Sequence, residues 1–526
     1  MKSSRLLSNL TRLQETHPQE AFHLAEMLPE DWEEADAFPT FDEEADILIV
    51  YGAGTGEFYR SLLPWLRKKR KRKIYFFEDQ EIPLRQLLET ESGSKLLRDK
   101  RVSLQLFHGI DEELHPFNAL MWKFYGKKLA FLKHPKYEKE LFDQLQHRIV
   151  FDQERMNIFL GEYLTYGARY YLNFYRNLSV LSDSFDGEAL FGKYKNVPAI
   201  IVGAGPSLDK NGELLKSIGD KGLIFSGGSG LLALLAKGIQ PHFAGAIDPN
   251  PLQAERMIRS KAYKGPLFYR LRLLPEALKV ISGPKLYIPG SGGFDTAAWI
   301  ENELGIEGQN IEEGHNVVAF LVAIAEKMGC NPIVLVGLDL GYPEGKIYAH
   351  GVEEGKPPED TVIKKDIYGQ PFVTKYMWLQ ESRWLSKFKE ENPDVQLINA
   401  TEGGLGAEGV ENRSLHEVLD TYFTKQRDLK PSFTPLNVTS EQLKEILSKL
   451  SDSLKRCYLL LDQINDSPTG TLADHALREE IAYSAVLAIF DQILTFLERK
   501  DRIPFLKTVI EAQLYLLEHP NIHSLS

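Results

Sequence analysis

The sequence has almost no cysteine. Two, Cys330 and Cys457, stand among 526 residues. They cannot make a disulfide framework or a thiolate zinc cluster, and they fit a reducing compartment. Long apolar runs are also missing. The longest near the middle, Val317–Ala325, stops at Glu326, whereas a membrane-spanning helix needs about 20 residues. The opening MKSSRLLSNLTRLQETHPQE contains neither the apolar stretch nor the small-residue cleavage site of a secretory signal. These absences predict a cytoplasmic chain with no membrane span. There is no basic excess: 62 Lys+Arg face 74 Asp+Glu, for a formal net charge of −12. That balance argues against a general nucleic-acid coat. No repeat of fixed period and no long low-complexity segment occurs, and no Gly-x-x-x-x-Gly-Lys-Ser/Thr loop is present. What remains is ordinary for a folded chain, with 43% hydrophobic and 26% charged residues. At roughly 100–200 residues per domain the length predicts about three domains.

One pattern occurs twice. Residues 47–56 read ILIVYGAGTG and residues 199–208 read AIIVGAGPSL. A continuous apolar run of this length reads as a buried parallel strand. A glycine-rich turn after it lets the chain enter a helix with backbone N–H groups facing an anion. Two α/β domains follow. The first, 1–115, is Rossmann-like, with a second strand at Lys73–Phe77 and a third at Val102–Phe107. Residues 116–195 are rich in aromatics and charges at helical spacing and read as a helical connector. There Tyr163, Tyr170, Tyr171, Phe174 and Tyr175 read as packing residues. In 196–430 the strand candidates are Ala199–Val202, Leu223–Phe225, Phe243–Ile247, Leu267–Tyr269, Leu286–Ile288, Ile333–Val336 and Val395–Ile398. Helical segments between them predict a doubly wound, largely parallel sheet. After the linker PSFTPLNVTSEQ, residues 436–526 read as a helical bundle. Thr439 and Gln442 offer a capping box. Leu443, Ile446, Leu447, Leu450, Leu454, Cys457 and Leu461 fall on one helical face. The fold class is α/β with a C-terminal helical bundle.

Functional residues in such sheets collect beyond the C-terminal strand ends. In the first domain the turn Gly52-Ala-Gly54-Thr-Gly56 precedes Glu78 and Asp79, where nucleoside-binding Rossmann units hold a ribose. The turn resembles the first motif of S-adenosylmethionine-dependent methyltransferases, but no later methyltransferase motif follows. Glycines that serve only tight helix–strand packing are the competing reading. The run Arg67–Lys73 holds seven cations. It reads as a solvated helix end and turn, against a nuclear-localisation or phosphate-binding patch. The second turn, Gly203-Ala-Gly205-Pro206-Ser207-Leu208-Asp209, is more specific. Pro206 suits a first helical turn, and Ser207 brings a hydroxyl beside the free N–H groups. The next strand ends Phe225-Ser226-Gly227-Gly228-Ser229 and the one after ends Ile247-Asp248-Pro249. Three consecutive strands ending in small or polar residues predict a mononucleotide crevice.

Residues 198–250 then resemble the central domain of the motility accessory factor family, which is shared with archaeal-type 6-hydroxymethylpterin pyrophosphokinases (MptE-like). The matching pieces are G-A-G-P-S-L-D, K-G-I-Q-P-H and the strand ending I-D-P. They are followed by His315-Asn316-Val317, Ile333–Leu340 and Leu397–Gly404. The resemblance covers about 195–410. It implies a glycosyltransferase that moves a nonulosonic, sialic-acid-like sugar from a CMP-sugar to a Ser or Thr hydroxyl of a protein. The core is also similar to a bacterial sialyltransferase family. This implies a nucleotide site at Gly203, Gly205, Pro206, Ser207, Ser226, Gly227, Ser229, Asp248 and Asn316. It also implies a strand ending at Gly337 and Asp339 before a tyrosine-bearing loop with Tyr342 and Tyr348. Ala204 stands where that family has Asn, and His242 where relatives often carry Asp.

Departure of CMP leaves charge on a phosphate, which tyrosine hydroxyls and helix N-terminal amides stabilise. The acceptor hydroxyl needs a base, for which histidine suits neutral pH. His350 is the first candidate and His315 the second. Asp339 either acts directly or organises its loop through backbone N–H groups; Asp248 either binds a ligand or forms a turn. Residues Thr401–Gly406 read as a cover for the donor or a bare loop, and Gly351–Lys365 as a mobile flap. The CMP-sugar is the donor, with no metal assigned. The alternatives are a pyrophosphokinase using ATP and Mg²⁺, with Asp248 and Asp339 as metal ligands, and a non-catalytic nucleotide-binding assembly protein.

Overall fold

The computed structural model describes residues 4–28, 30–35, 37–107, 123–290, 295–309, 311, 314, 316–353, 357, 358, 361–465, 472–490 and 499–519. The chain divides into two compact units, Met1–Glu162 and Tyr163–Ser526.

The first unit holds a four-stranded parallel sheet. Its strands are β1 (Ile47–Tyr51), β2 (Lys73–Glu78), β3 (Val102–Leu106) and β4 (Leu129–Lys133), in the order β3-β2-β1-β4. β1 is buried along its whole length. Leu48 and Val50 face one apolar cluster while Ile47, Ile49 and Tyr51 face another. A continuous apolar run is therefore required, because both faces of the sheet are covered. The strand β4 departs from the expected helical connector. LAFLK is half-buried except at Leu132, so its residues carry no strong strand signal of their own, and pairing with β1 fixes it. The helix Lys139–Asn177 follows. The cation run closes the helix Glu57–Lys68. Two of its seven cations, Lys68 and Lys69, pair with Glu43 and Glu44, and Arg72 is buried over the Trp65 ring.

The second unit is built on a ten-stranded sheet. Its strands are β5 (Phe185–Asp186), β6 (Ala199–Val202), β7 (Leu223–Gly227), β8 (Phe243–Ala246), β9 (Leu267–Tyr269), β10 (Lys285–Tyr287), β11 (Ile333–Val336), β14 (Leu397–Asn399), β15 (Glu411–Asn412) and β16 (Thr434–Pro435). A separate antiparallel hairpin pairs β12 (Val362–Lys365) with β13 (Pro371–Thr374). The order in the large sheet is β15-β14-β11-β6-β7-β8-β9-β10-β5-β16, parallel throughout except for β16. The α/β architecture with a largely parallel sheet and a helical C-terminal region is thus the observed one. Each of the seven strands expected here occurs with ends moved by at most two residues. The hairpin, the two-residue edge strands β15 and β16, and the two-residue β5 beside β16 were not anticipated. Two-residue strands are too short to show a period, and the supposed flap 351–365 ends in β12.

β6 sends Ala199 and Ile201 into one cluster and Ile200 and Val202 into the other. On the β8–β10 side, Ala244, Leu267, Tyr269 and Tyr287 share a third cluster with Leu443, Ile446, Leu450, Leu454, Cys457 and Leu461 of the helix Ser440–Asn465. The capping box forms as the sequence predicts: Thr439 N–H donates to Gln442 Oε1 at 2.9 Å and Gln442 N–H to Thr439 Oγ1 at 3.2 Å. Leu454 is fully buried. Leu454→Ala is therefore expected to lower stability by about 2–5 kcal/mol. Urea titration followed by far- and near-UV circular dichroism checks this. Helix and tyrosine signals of the second unit should be lost together at the lowered midpoint.

Candidate functional site

The chain runs from β6 to β10 on one side of β6, then returns to place β11 on the other side. The order reverses between the C-terminal ends of β6 and β11, where an open α/β sheet forms a ligand crevice. The two strand ends are locked together. Gly203 N–H donates to Val336 O at 2.9 Å and Gly205 N–H to Gly337 O at 2.7 Å. Asp339, 2% exposed, accepts from Ser207 Oγ at 2.7 Å and from Ser207 N–H at 3.3 Å. A Cβ at position 205 would stand 1.8 Å from Asp339 Oδ2, and one at 203 would stand 2.5 Å from Gly337 O. These two glycines are needed for close approach of one loop to another. Burial pushes the Asp339 carboxyl up to about 6 although the Ser207 hydroxyl and N–H favour its charged form. Its carboxylate occupies the position that an anion would take at Ser207.

The neighbouring turn is built from small residues. The N-cap residue of the helix Gly228–Ala236 is Gly227, which has no side chain to cap it, and the N–H groups of a first helical turn lack intrahelical acceptors. Gly228 has φ +50, and Ser229 is half-exposed at this end. Beneath it Ser226 is fully buried and donates its hydroxyl to Val202 O at 2.9 Å. That serine ties β7 to β6. A Cβ at Gly227 would meet Gly245 O at 2.5 Å and Val317 Cγ2 at 2.7 Å, so the start of the helix Val317–Lys327 lies against this turn. Asn316 caps that helix: its Oδ1 accepts from Val318 N–H at 2.7 Å and Ala319 N–H at 3.2 Å. His242 is likewise structural, its Nδ1 accepting Ile224 N–H at 3.0 Å.

The loop carrying Tyr348 and His350 crosses the glycine turn. Ala349 N–H donates to Ala204 O and His350 N–H to Asp209 Oδ2, each at 2.9 Å. The His350 side chain is exposed. The Tyr348 ring lies 5.0 Å from the Arg256 guanidinium carbon. Arg256 belongs to the helix Pro251–Arg259, which follows the half-buried Asp248. Sequence reading missed this stacking arginine, which no motif marks. Tyr342 is buried, its ring centroid 4.6 Å from that of Trp378. His315 lies outside the described residues. The third loop seals the floor. Thr401 Oγ1 accepts Leu338 N–H at 3.1 Å and Leu405 N–H donates to Asp339 O at 2.9 Å. The structure therefore gathers Gly203–Ser207, Ser226–Ser229, Asn316, Asp339, Tyr348 and His350 around one crevice.

The first unit's glycine turn is filled by the chain's own carboxylates. Glu78 is fully buried, accepting Ala53 N–H at 2.8 Å, Gln80 N–H at 2.9 Å and Tyr137 Oη–H at 2.7 Å. Burial raises it to about 7 against those donors. Glu34 accepts Thr55 N–H at 2.8 Å and Thr55 Oγ–H at 2.7 Å and contacts His134. Burial works against its charge, but these hydrogen bonds bring it down to about 2. A Cβ at Gly52 would meet the Tyr137 ring at 2.7 Å. Of the two acidic residues at the expected ribose position, Glu78 is thus engaged internally, whereas Asp79 is half-buried, accepts from Tyr51 Oη–H at 3.0 Å and lines a cavity of about 240 Å³.

Asp339 has a folded-state pKa above its ordinary 3.8, so the folded chain holds that proton more tightly than the unfolded chain. Its contribution is fully present below about pH 4 and is lost as pH rises through about 6. Asp339→Asn is expected to flatten the stability–pH curve of the second unit over this window, by about 3 kcal/mol at most. Denaturant titrations from pH 4 to 8 measure it; an unchanged slope refutes the assignment. Gly205→Ala should lower stability by about 1–3 kcal/mol through overpacking, read in the same titrations.

Three comparisons place this geometry. Residues 172–345 match the family model described as 6-hydroxymethylpterin diphosphokinase MptE-like. No curated protein matches the chain. Among solved structures, the MAf glycosyltransferase from Magnetospirillum magneticum AMB-1 is similar over 98% of this chain and 95% of its own, with 14% identity and a TM-score of 0.52. The chain thus resembles an MptE-like protein through its central region and shares the fold of that glycosyltransferase along its length.

Proposed function

We propose that the chain is a glycosyltransferase that moves a nonulosonic sugar from a CMP-sugar to a Ser or Thr hydroxyl of a protein. The observation that carries the reading is the crevice at the reversal of strand order. There the helix Gly228–Ala236 has a glycine at its N-cap, and the Tyr348–His350 loop is hydrogen-bonded across the neighbouring glycine turn. The fold shared with a named glycosyltransferase supports it.

The donor phosphate is placed at the start of the helix Gly228–Ala236, with Ser229, because Asp339 fills the position at Ser207. Cleavage of the bond between the sugar's anomeric carbon and the CMP oxygen puts the electron pair on the phosphate. Backbone N–H groups and the Tyr348 hydroxyl stabilise that charge. The acceptor oxygen forms the new bond to the same carbon, and its proton passes to His350. Asp339 acts as a positioning residue by fixing the glycine turn against β11. No helix among the described residues is long and apolar enough to cross a membrane; a cytoplasmic reaction is part of the proposal, which the two cysteines in 526 residues support.

The family model's own description favours one second reading, a diphosphokinase using ATP and Mg²⁺. A thermal-shift series with CMP, CDP, ATP with Mg²⁺ and S-adenosylmethionine separates the two. CMP is expected to raise the melting temperature and S-adenosylmethionine to leave it unchanged. A shift with ATP and Mg²⁺ alone turns the case to the diphosphokinase. His350→Ala should slow sugar transfer by about 10²–10⁴-fold with little loss of CMP affinity. Equal, small effects on both would remove His350 from the reaction.

A further inference from the structure

The hairpin β12–β13 is rooted in both loops that enclose Asp339. Tyr342 N–H donates to Val373 O at 2.9 Å, Thr374 Oγ–H to Leu340 O at 2.6 Å, and Ile367 N–H to Gly404 O at 3.0 Å. A Cβ at Gly341 would stand 2.0 Å from the Phe372 ring. β13 therefore faces the candidate site. The other edge of the hairpin, along β12, has no backbone hydrogen bond to any described residue outside the hairpin.

An unpaired edge strand ordinarily carries protection against pairing with another chain. Lys364 and Lys365 provide charge here, but Ile363 between them and Val362 is 72% exposed, and Tyr368 at the hairpin turn is 64% exposed. Beside the strand a cavity of about 390 Å³ is lined by Lys364, Lys365, Ile367, Ser382, Leu405 and Asn412, among others. Leu405 is the residue whose N–H donates to Asp339 O. Open backbone groups, an apolar side chain, a lysine pair and a cavity thus lie side by side and reach the candidate site through a single loop. Lys364 and Lys365 supply the positive charge of this edge, and Glu408 is the acidic residue in the same cavity lining.

We infer that β12 is the docking edge for an extended acceptor polypeptide. The polypeptide adds as a strand beside Val362–Lys365, with acidic side chains on Lys364 and Lys365. Main-chain hydrogen bonds give affinity in this mode, and side chains give selection. This rests on the transferase reading for the role of the bound segment, while the binding itself is tested separately.

Two labelled ten-residue peptides serve as probes. Both alternate Thr and Val, and one carries Glu where the other carries Lys. Fluorescence anisotropy with the full chain at low salt is expected to show the Glu peptide binding at least about tenfold more tightly. The double variant Lys364→Glu, Lys365→Glu should reverse that preference. Ile363→Pro should weaken both peptides by removing an edge N–H. Hydrogen exchange at 362–365 should slow when the Glu peptide is bound to the wild-type chain. Because Ile363→Pro alters the hairpin backbone, the charge-reversal variant decides, with its melting temperature as the folding control. Unchanged preference in that variant, or no slowing of exchange, overturns the inference. CMP is titrated into the wild-type chain in parallel. Absence of a CMP shift overturns the transferase reading, and the peptide results still judge the docking edge.

Discussion

The carboxylate of Asp339, held by the hydroxyl and N–H of Ser207, joins the C-terminal ends of the neighbouring strands β6 and β11 of the large sheet. Much of the crevice depends on this contact. It brings the loops so close that a Cβ at Gly205 or Gly404 would overlap Asp339 itself. A charge taken this far out of water requires its partners, since an unpaired buried carboxylate costs several kcal/mol. The geometry of both loops is consequently fixed by one buried interaction, and the surrounding side chains are positioned from it.

The two glycine turns show the same constraint solved in the same way. A strand that turns at once into a helix leaves N–H groups without acceptors. In the first unit Glu34 and Glu78 accept them; in the second Asp339 does. A glycine-rich turn is therefore poor evidence of a ligand until the surrounding carboxylates are known. The turn at Gly227–Ser229 is made of small residues, and its N-cap residue, Gly227, has no side chain of its own to offer. The proposed donor site is therefore put at the plainer motif, since Asp339 already holds the N–H of Ser207 in the more conspicuous one.

The sheet was legible because each central strand is buried on both faces and must be apolar along its length, as at Ile47–Tyr51 and Ala199–Val202. The capping box at Thr439 and Gln442 was legible because its chemistry is local. β4 was not, since only pairing with β1 makes Leu129–Lys133 a strand. The hairpin was hidden by the polar segment before it, although Asp366-Ile-Tyr-Gly369 carries a turn signal, with φ +79 at Gly369. At the candidate site, the order of small strand ends located the crevice. It could not reveal which side chains were already engaged. Asn316 and Ser226 read as ligand groups, yet Asn316 caps a helix and Ser226 bridges two strands. Such pairings join residues far apart in the chain and leave no periodic trace.

The site has a buried floor and an exposed rim, and left-handed residues occur in both, Glu344 at φ +53 lying in the exposed loop before Tyr348. Leu340 and Glu402 hold left-handed backbones at φ +52 and +60, each costing about 1–2 kcal/mol for a residue with a side chain. Such strain persists only where the surroundings over-determine it. Here Thr374 donates to Leu340 O, and Glu402 Oε1 accepts from Asn211 Nδ2 and Leu415 N–H at 2.9 and 3.0 Å. The floor beneath the crevice is consequently rigid. The His350 side chain and the β12 edge are instead exposed and anchored mainly through backbone contacts on one side. A rigid floor suits a nucleotide of constant shape, whose phosphate must meet fixed N–H groups. An exposed rim suits a polypeptide, whose hydroxyl must be accepted in more than one sequence context. In the proposed reaction the buried floor serves the donor and the exposed rim the acceptor.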